Sequence, residues 1–209
     1  MKIIAIAFLL AFVVVSADMS GSEHDLQFQA ELPVEFQVES VMTPGETVAN
    51  YLKGIFSTEA NSYPLYKQCD SRWKNNKIST KTICQVGCLM SSVSMTLAGH
   101  GKQVDGKTAT PGTLNAWLKK HGGYQGNLFV WGAVSKFGLK YHGKVKGTTT
   151  INSYISKSCY DVILNVNHGG HWVLATGKGT STFSVRDPGY SKTSYGHGEV
   201  VQAAIYSHC

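Results

Sequence analysis

Hydrophobic and polar residues change their spacing along this chain, and each spacing predicts an element. Leu89, Val93 and Leu97 recur at i, i+4 and i+8, the spacing of one buried helix face, in a segment that opens at or near Cys88 and ends by Gly99 and Gly101. A second helix is predicted over residues 110–122. Thr110 caps it, Pro111 occupies its first turn, Gly122 ends it, and Leu114, Trp117 and Leu118 form its core face. The second half changes period. Residues 160–166 are a β-branched run, residues 168–170 a turn and residues 171–176 a second strand. A glycine-rich turn over 177–181 leads to a return strand over 182–187, stopped by Pro188-Gly189. Helices followed by an antiparallel sheet make an α+β domain.

The N-terminus follows a different pattern. Behind Met1-Lys2, residues 3–15 are an uninterrupted apolar run of 13, followed by the small residues Ser16 and Ala17. As a helix that run spans about 20 Å, against roughly 30 Å for a hydrocarbon core. Residues 1–17 therefore read as a removable signal peptide, cut after Ala17, and no membrane anchor is expected. The destination would be the extracellular space or the endolysosomal lumen. Charge then separates the remainder. Residues 18–59 carry eight acids and one base, net −7, whereas residues 60–209 carry 17 Lys or Arg and five acids, net +12. The expected organisation is an acidic segment over 18–60, either a pro-segment docking on the basic domain or a solubilising arm, and one globular domain over 61–209.

Five cysteines in a secreted chain leave one over. Four cysteines allow three pairings. Cys69–Cys84 would close a modest loop and Cys159–Cys209 would tie down the C-terminus. The remaining Cys88 lies behind Gly87 at a helix start, where unbonded amides and the positive end of the helix dipole favour a thiolate. A thiol nucleophile needs a base, and the base needs a group that fixes its tautomer. If the turn is the five residues 177–181, Thr176 faces Thr182 and His171 faces Asp187, which makes them a base and its orienter. Acyl transfer also needs an oxyanion donor. The Cys88 amide with either Gln68 or Gln85 could supply it.

These residues carry a resemblance. Tyr63-Pro64-Leu65-Tyr66-Lys67-Gln68-Cys69-Asp70-Ser71-Arg72-Trp73, then Gly87-Cys88, Gly170-His171-Trp172-Val173 and Asp187-Pro188-Gly189, resemble the thirty-ninth family of cysteine peptidases. This is the bacteriocin-processing type of the papain-like clan, and its stand-alone secreted branch looks closest. The resemblance spans roughly residues 63–190. It implies a papain-like cysteine peptidase fold, α+β, with the nucleophile helix packed against an antiparallel sheet. It also implies Cys88 as nucleophile, His171 as general base, Asp187 as orienter and Gln68 as oxyanion donor. Two departures stand out. Leu89-Met90-Ser91-Ser92 replaces the Gly-Pro-Thr-Ser of many members, and Thr82 holds the place of the transporter-linked branch's glutamine. No segment resembles an attached transporter.

The expected activity is hydrolysis of peptide bonds in peptide or protein substrates through an acyl-enzyme on Cys88. A cell-wall peptide amidase would use the same residues, and a non-catalytic secreted binding module could share the scaffold. No cofactor is expected. The pair His168 and His171 lacks the further ligands of a metal site. A Gly-x-Ser-x-Gly elbow, a phosphate loop, a dinucleotide fingerprint and an Asn-x-Ser/Thr sequon are all absent from the sequence. The lysines Lys119, Lys120, Lys136, Lys140, Lys144 and Lys146 are scattered, which argues against a specific nucleic-acid partner, and a monomer is expected.

Overall fold

The computed structural model describes residues 63–209; the expected signal peptide (1–17) and acidic segment (18–60) lie outside the described residues. The first helices among the described residues are α1 (Ile83–Val86) and α2 (Cys88–Gly99). A small hairpin of β1 (Gln103–Val104) and β2 (Lys107–Thr108) leads to α3 (Pro111–Lys120), and a second hairpin follows, β3 (Tyr124–Gln125) with β4 (Leu128–Phe129). Then come β5 (Lys140–Val145), α4 (Thr148–Ile155), β6 (Tyr160–Val166), β7 (His171–Lys178), β8 (Thr182–Arg186), β9 (Ser194–Gly196) and β10 (Gln202–Ser207). Among the described residues, β5 to β10 build one antiparallel sheet in the order β5-β10-β6-β7-β8-β9. Helix α2 packs on β6 and β7. This is an α+β fold, with the Cys88 helix on the sheet.

The sheet is covered on both faces, which is why β6 reads as a continuous apolar run and not as an alternation. Ile163, Leu174, Ala204 and Tyr206 point toward α2 and α3 and meet Val93, Leu97, Leu114 and Leu118. Val162, Leu164, Val166, Val173 and Ile205 face the other way and pack with Ile151 of α4. The last strand, β10, runs through the middle of the sheet between β5 and β6. Residues 140–146, which hold three of the scattered lysines, lie mostly on the edge strand β5, where Lys140, His142 and Lys144 are exposed and the alternate positions are half-buried.

Helix α2 departs from the expected single buried face. Every residue from Met90 to Leu97 is buried, four of them Ser or Thr. Ser94 Oγ donates to the Ser91 carbonyl and Thr96 Oγ1 to that of Ser92, so these hydroxyls are satisfied inside the helix. Ser92 Oγ instead donates to the Trp172 carbonyl of β7, 3.3 Å away. Small side chains of this kind let helix and sheet approach closely, with three of the four hydroxyls bonded and only Ser91 Oγ left without a partner.

The register of β7 against β8 also differs from the expectation. Leu174 faces Arg186 and Ala175 faces Val185, and a bulge between Ala175 and Gly177 absorbs the remainder of the turn. The pairing is displaced by two residues from the one that puts His171 opposite Asp187. A two-residue displacement preserves the face, so the two side chains still share a side of the sheet. Asp187 then stands diagonal to His171, just beyond the end of β8.

Both expected disulfides are present, Cys69–Cys84 and Cys159–Cys209, and Cys88 is free. The start of α2 is set by a junction too short to have been read as two helices. Thr82 caps α1 in a reciprocal box with Gln85, and Gly87 alone separates the two helices. A Cβ at position 87 would stand 2.4 Å from the Ile83 carbonyl oxygen and 2.7 Å from its Cγ2. Gly87→Ala is therefore expected to cost about 1–3 kcal/mol in urea unfolding, the range for forced overpacking. It should also displace Cys88 enough to slow its alkylation; native stability in that variant would show that the junction relaxes freely.

Candidate active site

Cys88, His171 and Asp187 come together at one end of the sheet. Cys88 is the first residue of α2, half-buried, and its cap Gly87 offers no side chain to the free amides of the first turn. His171 is the first residue of β7 and pairs with Val166 of β6. Its Nε2 lies 2.7 Å from Asp187 Oδ1, with both residues buried. Cys88 stands beside the imidazole, and the two line one cleft.

Asp187 is the best-supplied acceptor in the site. Besides His171, the amides of Gly189 and Tyr190 donate to Oδ1 at 2.8 and 2.9 Å, and the Tyr195 hydroxyl donates to Oδ2 at 2.7 Å. Burial opposes the charged carboxylate, but these four donors outweigh it and hold the carboxyl below its ordinary value. His171 shows the same contest. Burial disfavours the imidazolium, yet the hydrogen bonds to Asp187 and Cys88 and their charges raise its pKa to about 9. The Tyr190 ring meets the imidazole edge-on at 5.0 Å. Gly189 lies so close that a Cβ there would stand 2.7 Å from His171 Cε1.

The two glutamines are told apart by their partners. Gln85 lines the cleft, but its amide oxygen accepts from Thr82 N and Oγ1, which commits it to capping α1. Gln68 is held at the site from two sides. Its backbone N–H donates to the Pro188 carbonyl, and its Nε2 donates to the Cys84 carbonyl at 2.7 Å. Its Oε1 is buried with no protein partner, within 3.6 Å of the position a Gly189 Cβ would take. The amide nitrogen retains a second hydrogen for a substrate oxygen. Lys67 fastens the same segment, donating from Nζ to the carbonyls of Asp187 and Tyr190. The Cys69–Cys84 disulfide links it to α1.

A cleft of about 470 Å³ opens over these residues, lined by Gln68, Cys88, Leu89, Phe129, His171 and Trp172 among others. It shares Leu89, Leu128, Phe129 and Trp172 with a second hollow of about 490 Å³, floored by Trp131, over whose ring the Lys144 ammonium sits at 4.6 Å. Sequence reasoning missed Lys67, Tyr195 and the β3–β4 hairpin that supplies Leu128 and Phe129. Tyr190 was legible only as the residue after Asp187-Pro188-Gly189, and nothing in the spacing marks Tyr195.

No protein-family model and no curated protein matches this chain. Among solved structures, the chain is similar to the crystal structure of a double glycine motif protease from an AMS/PCAT transporter in complex with the leader peptide, at a TM-score of 0.46 and 17% identity, over 70% of this chain and 91% of that one.

The electrostatics of the pair carry a sign. The folded pKa of His171 lies above its ordinary 6.5, so the imidazolium stabilises the fold fully below pH 6.5 and that contribution is lost as pH rises through about 9. Asp187 has the opposite sense: its contribution is present above its ordinary 3.8 and is lost as pH falls through the depressed folded value. The stability difference between the native chain and His171→Gln, read from urea midpoints, is therefore expected to shrink between pH 6.5 and 9. An unchanged difference over that range would contradict the assignment.

Proposed function

We propose that this chain is a cysteine peptidase that hydrolyses peptide bonds through a thioester on Cys88. The observation that carries the reading is a free, half-exposed thiol on a helix tip that lines one cleft with an imidazole whose Nε2 is fixed 2.7 Å from a fully hydrogen-bonded carboxylate. At neutral pH the imidazole, with its pKa at about 9, carries a proton, and the proposed reaction begins with that proton on the ring and the sulfur as nucleophile.

The steps follow from that pairing. Cys88 Sγ attacks the scissile carbonyl carbon, and negative charge moves onto the carbonyl oxygen. The Cys88 amide and the free hydrogen on Gln68 Nε2 receive that oxygen. Collapse breaks the C–N bond, and His171 delivers its proton to the departing amine. The neutral imidazole then takes a proton from water, whose oxygen attacks the thioester. The C–S bond breaks, the carboxylic acid leaves, and the pair is restored. Asp187 stays ionised throughout and holds the ring in one tautomer. An extended peptide in the cleft would set side chains against Leu89, Leu128 and Trp172, which favours apolar residues on one side of the scissile bond.

Cys88→Ser is expected to abolish turnover of peptide substrates without lowering the thermal midpoint, and iodoacetamide should label the native chain at Cys88. Retained turnover in Cys88→Ser would sink the reading. Gln68→Ala should lower kcat by about 10²–10³-fold, the usual loss of one oxyanion donor. Gln85→Ala should leave kcat nearly unchanged and cost about 0.5–1.5 kcal/mol of stability, as loss of a capping hydrogen bond. The reverse pattern would move the oxyanion role to Gln85.

A further inference from the structure

At the end of α2 remote from Cys88, three side chains converge that the proposed chemistry does not use. His100 is the C-cap of α2, Asp161 lies near the start of β6, and His208 follows the end of β10. The Asp161 side chain is fully buried, while those of His100 and His208 are 7% and 18% exposed. His100 Nε2 stands 2.9 and 3.1 Å from the two Asp161 oxygens, and His208 Nδ1 stands 2.8 Å from Oδ2. The Tyr63 hydroxyl donates to Oδ1 at 2.7 Å. One ligand atom from each of the three residues lies within 4.8 Å of the others.

We propose that His100, Asp161 and His208 form a binding site for a divalent cation of the zinc class, with the Tyr63 hydroxyl or a water as fourth donor. The donor set selects the ion. Two imidazole nitrogens and one carboxylate oxygen suit zinc, whereas calcium and magnesium call for oxygen alone. Charge agrees with it. The site lies against the last turn of α2, at the negative end of the helix dipole. It sits beside one buried carboxylate, so a cation is favoured and an anion is not.

Geometry requires only a small opening. Metal–ligand bonds of about 2.0–2.1 Å at tetrahedral angles separate the donor atoms by about 3.3 Å. The imidazole-to-carboxylate separations of 2.8–3.1 Å fall a few tenths of an ångström short, and the three ligand atoms all lie within 4.8 Å of one another. The two imidazoles, stacked with centroids 3.7 Å apart, must fan apart to admit the ion. Each ring would offer to the metal the nitrogen that now faces the carboxylate, with its proton carried on the other nitrogen.

The surrounding chain holds these ligands in place without the ion. Tyr206 pairs with Asp161 across β10 and β6, so His208 emerges two residues further on. The Cys159–Cys209 disulfide then turns it back, and the His208 amide donates to the Cys159 carbonyl at 3.2 Å. Gly99 lets Tyr63 lie on the helix end, since a Cβ there would stand 2.3 Å from Tyr63 Cδ1. The 12 residues of α2 place the site about 18 Å along the helix from Cys88, so the ion would serve structure and not the peptidase chemistry.

The test uses the full chain carrying Cys88→Ala, because Cys88 with His171 could itself take a soft metal. The chain is stripped with a chelator, and zinc is titrated against a chromophoric competitor and counted by native mass spectrometry. The expected result is one zinc per chain, a raised thermal midpoint and, with cobalt(II), the visible absorption of a tetrahedral site. His208→Gln, near the end of the chain and least able to disturb the fold, should weaken zinc binding at least about 10-fold, and Asp161→Asn should do the same if it folds. No zinc uptake by the Cys88→Ala chain, or uptake unchanged in His208→Gln, would overturn the proposal. Either result leaves the peptidase reading standing, since that reading is tested at Cys88.

Discussion

A carboxylate buried in protein must find hydrogen bonds for its lone pairs or lose several kcal/mol, and Asp187 meets that demand in a way that orders everything around it. Three of its donors come from the turn that begins at Asp187 itself and from the imidazole of His171. The fourth is the Tyr195 hydroxyl from β9, at the far edge of the sheet. The turn is therefore wound tightly around its own carboxylate. Its outward-facing carbonyls at Asp187, Pro188 and Tyr190 are left to accept from Lys67 and Gln68. One charge thus fixes the tautomer of the base, the shape of the turn and the place of the glutamine. Removing a single donor would leave that charge undercompensated, whereas replacing a surface ion pair such as Arg72–Asp70 would matter little.

The second constraint is the helix that carries Cys88. Its N-terminus must reach the imidazole, and its body must pass across a sheet that is buried on both faces. A helix lined with large side chains would stand off from β7. Ser91, Ser92, Ser94 and Thr96 instead bring it close, and Ser92 bonds directly to the strand that begins with His171. The two disulfides lie toward opposite ends of this helix, Cys69–Cys84 near the thiol and Cys159–Cys209 near the C-terminal tail. Two disulfides, and no helix among the described residues long and apolar enough to cross a membrane, are compatible with a life outside the cytosol.

How much of this was legible in the sequence depended on whether a residue's signal was local. The strand over 160–166, the Thr110-Pro111 helix start and the return strand after the glycine-rich turn carry their own punctuation, and each was found within a residue or two. His171 meets Asp187 although the counted register does not hold: the turn displaces the pairing by three, the bulge after Ala175 takes one back, and the even displacement that remains keeps side chains on the same face. The full burial of α2 was hidden because hydroxyls that bond their own helix read as polar. Strand β10 was missed although it lies in the middle of the sheet, since Gln202-Ala203-Ala204 gives little strand signal before Ile205-Tyr206. Tyr195, His100 and His208 carried no local signal at all. Their roles exist only once the sheet has brought distant segments together.

That last group explains how the fold separates chemistry from anchorage. Asp161 and Asp187 are the two fully buried carboxylates among the described residues, and both are satisfied chiefly by histidine and tyrosine. They differ in what they leave open. Around Asp187 the imidazole lies in an open cleft with a free thiol, which is the arrangement the proposed peptidase chemistry requires. Around Asp161 both imidazoles turn inward onto the carboxylate, and the hydroxyl of Tyr63 closes the third side. The same three residue types make the proposed catalytic support at one end of α2 and a closed knot at the other. Because the knot holds the end of the helix rather than its tip, tightening it would stiffen the base on which Cys88 stands without touching the residues around the thiol.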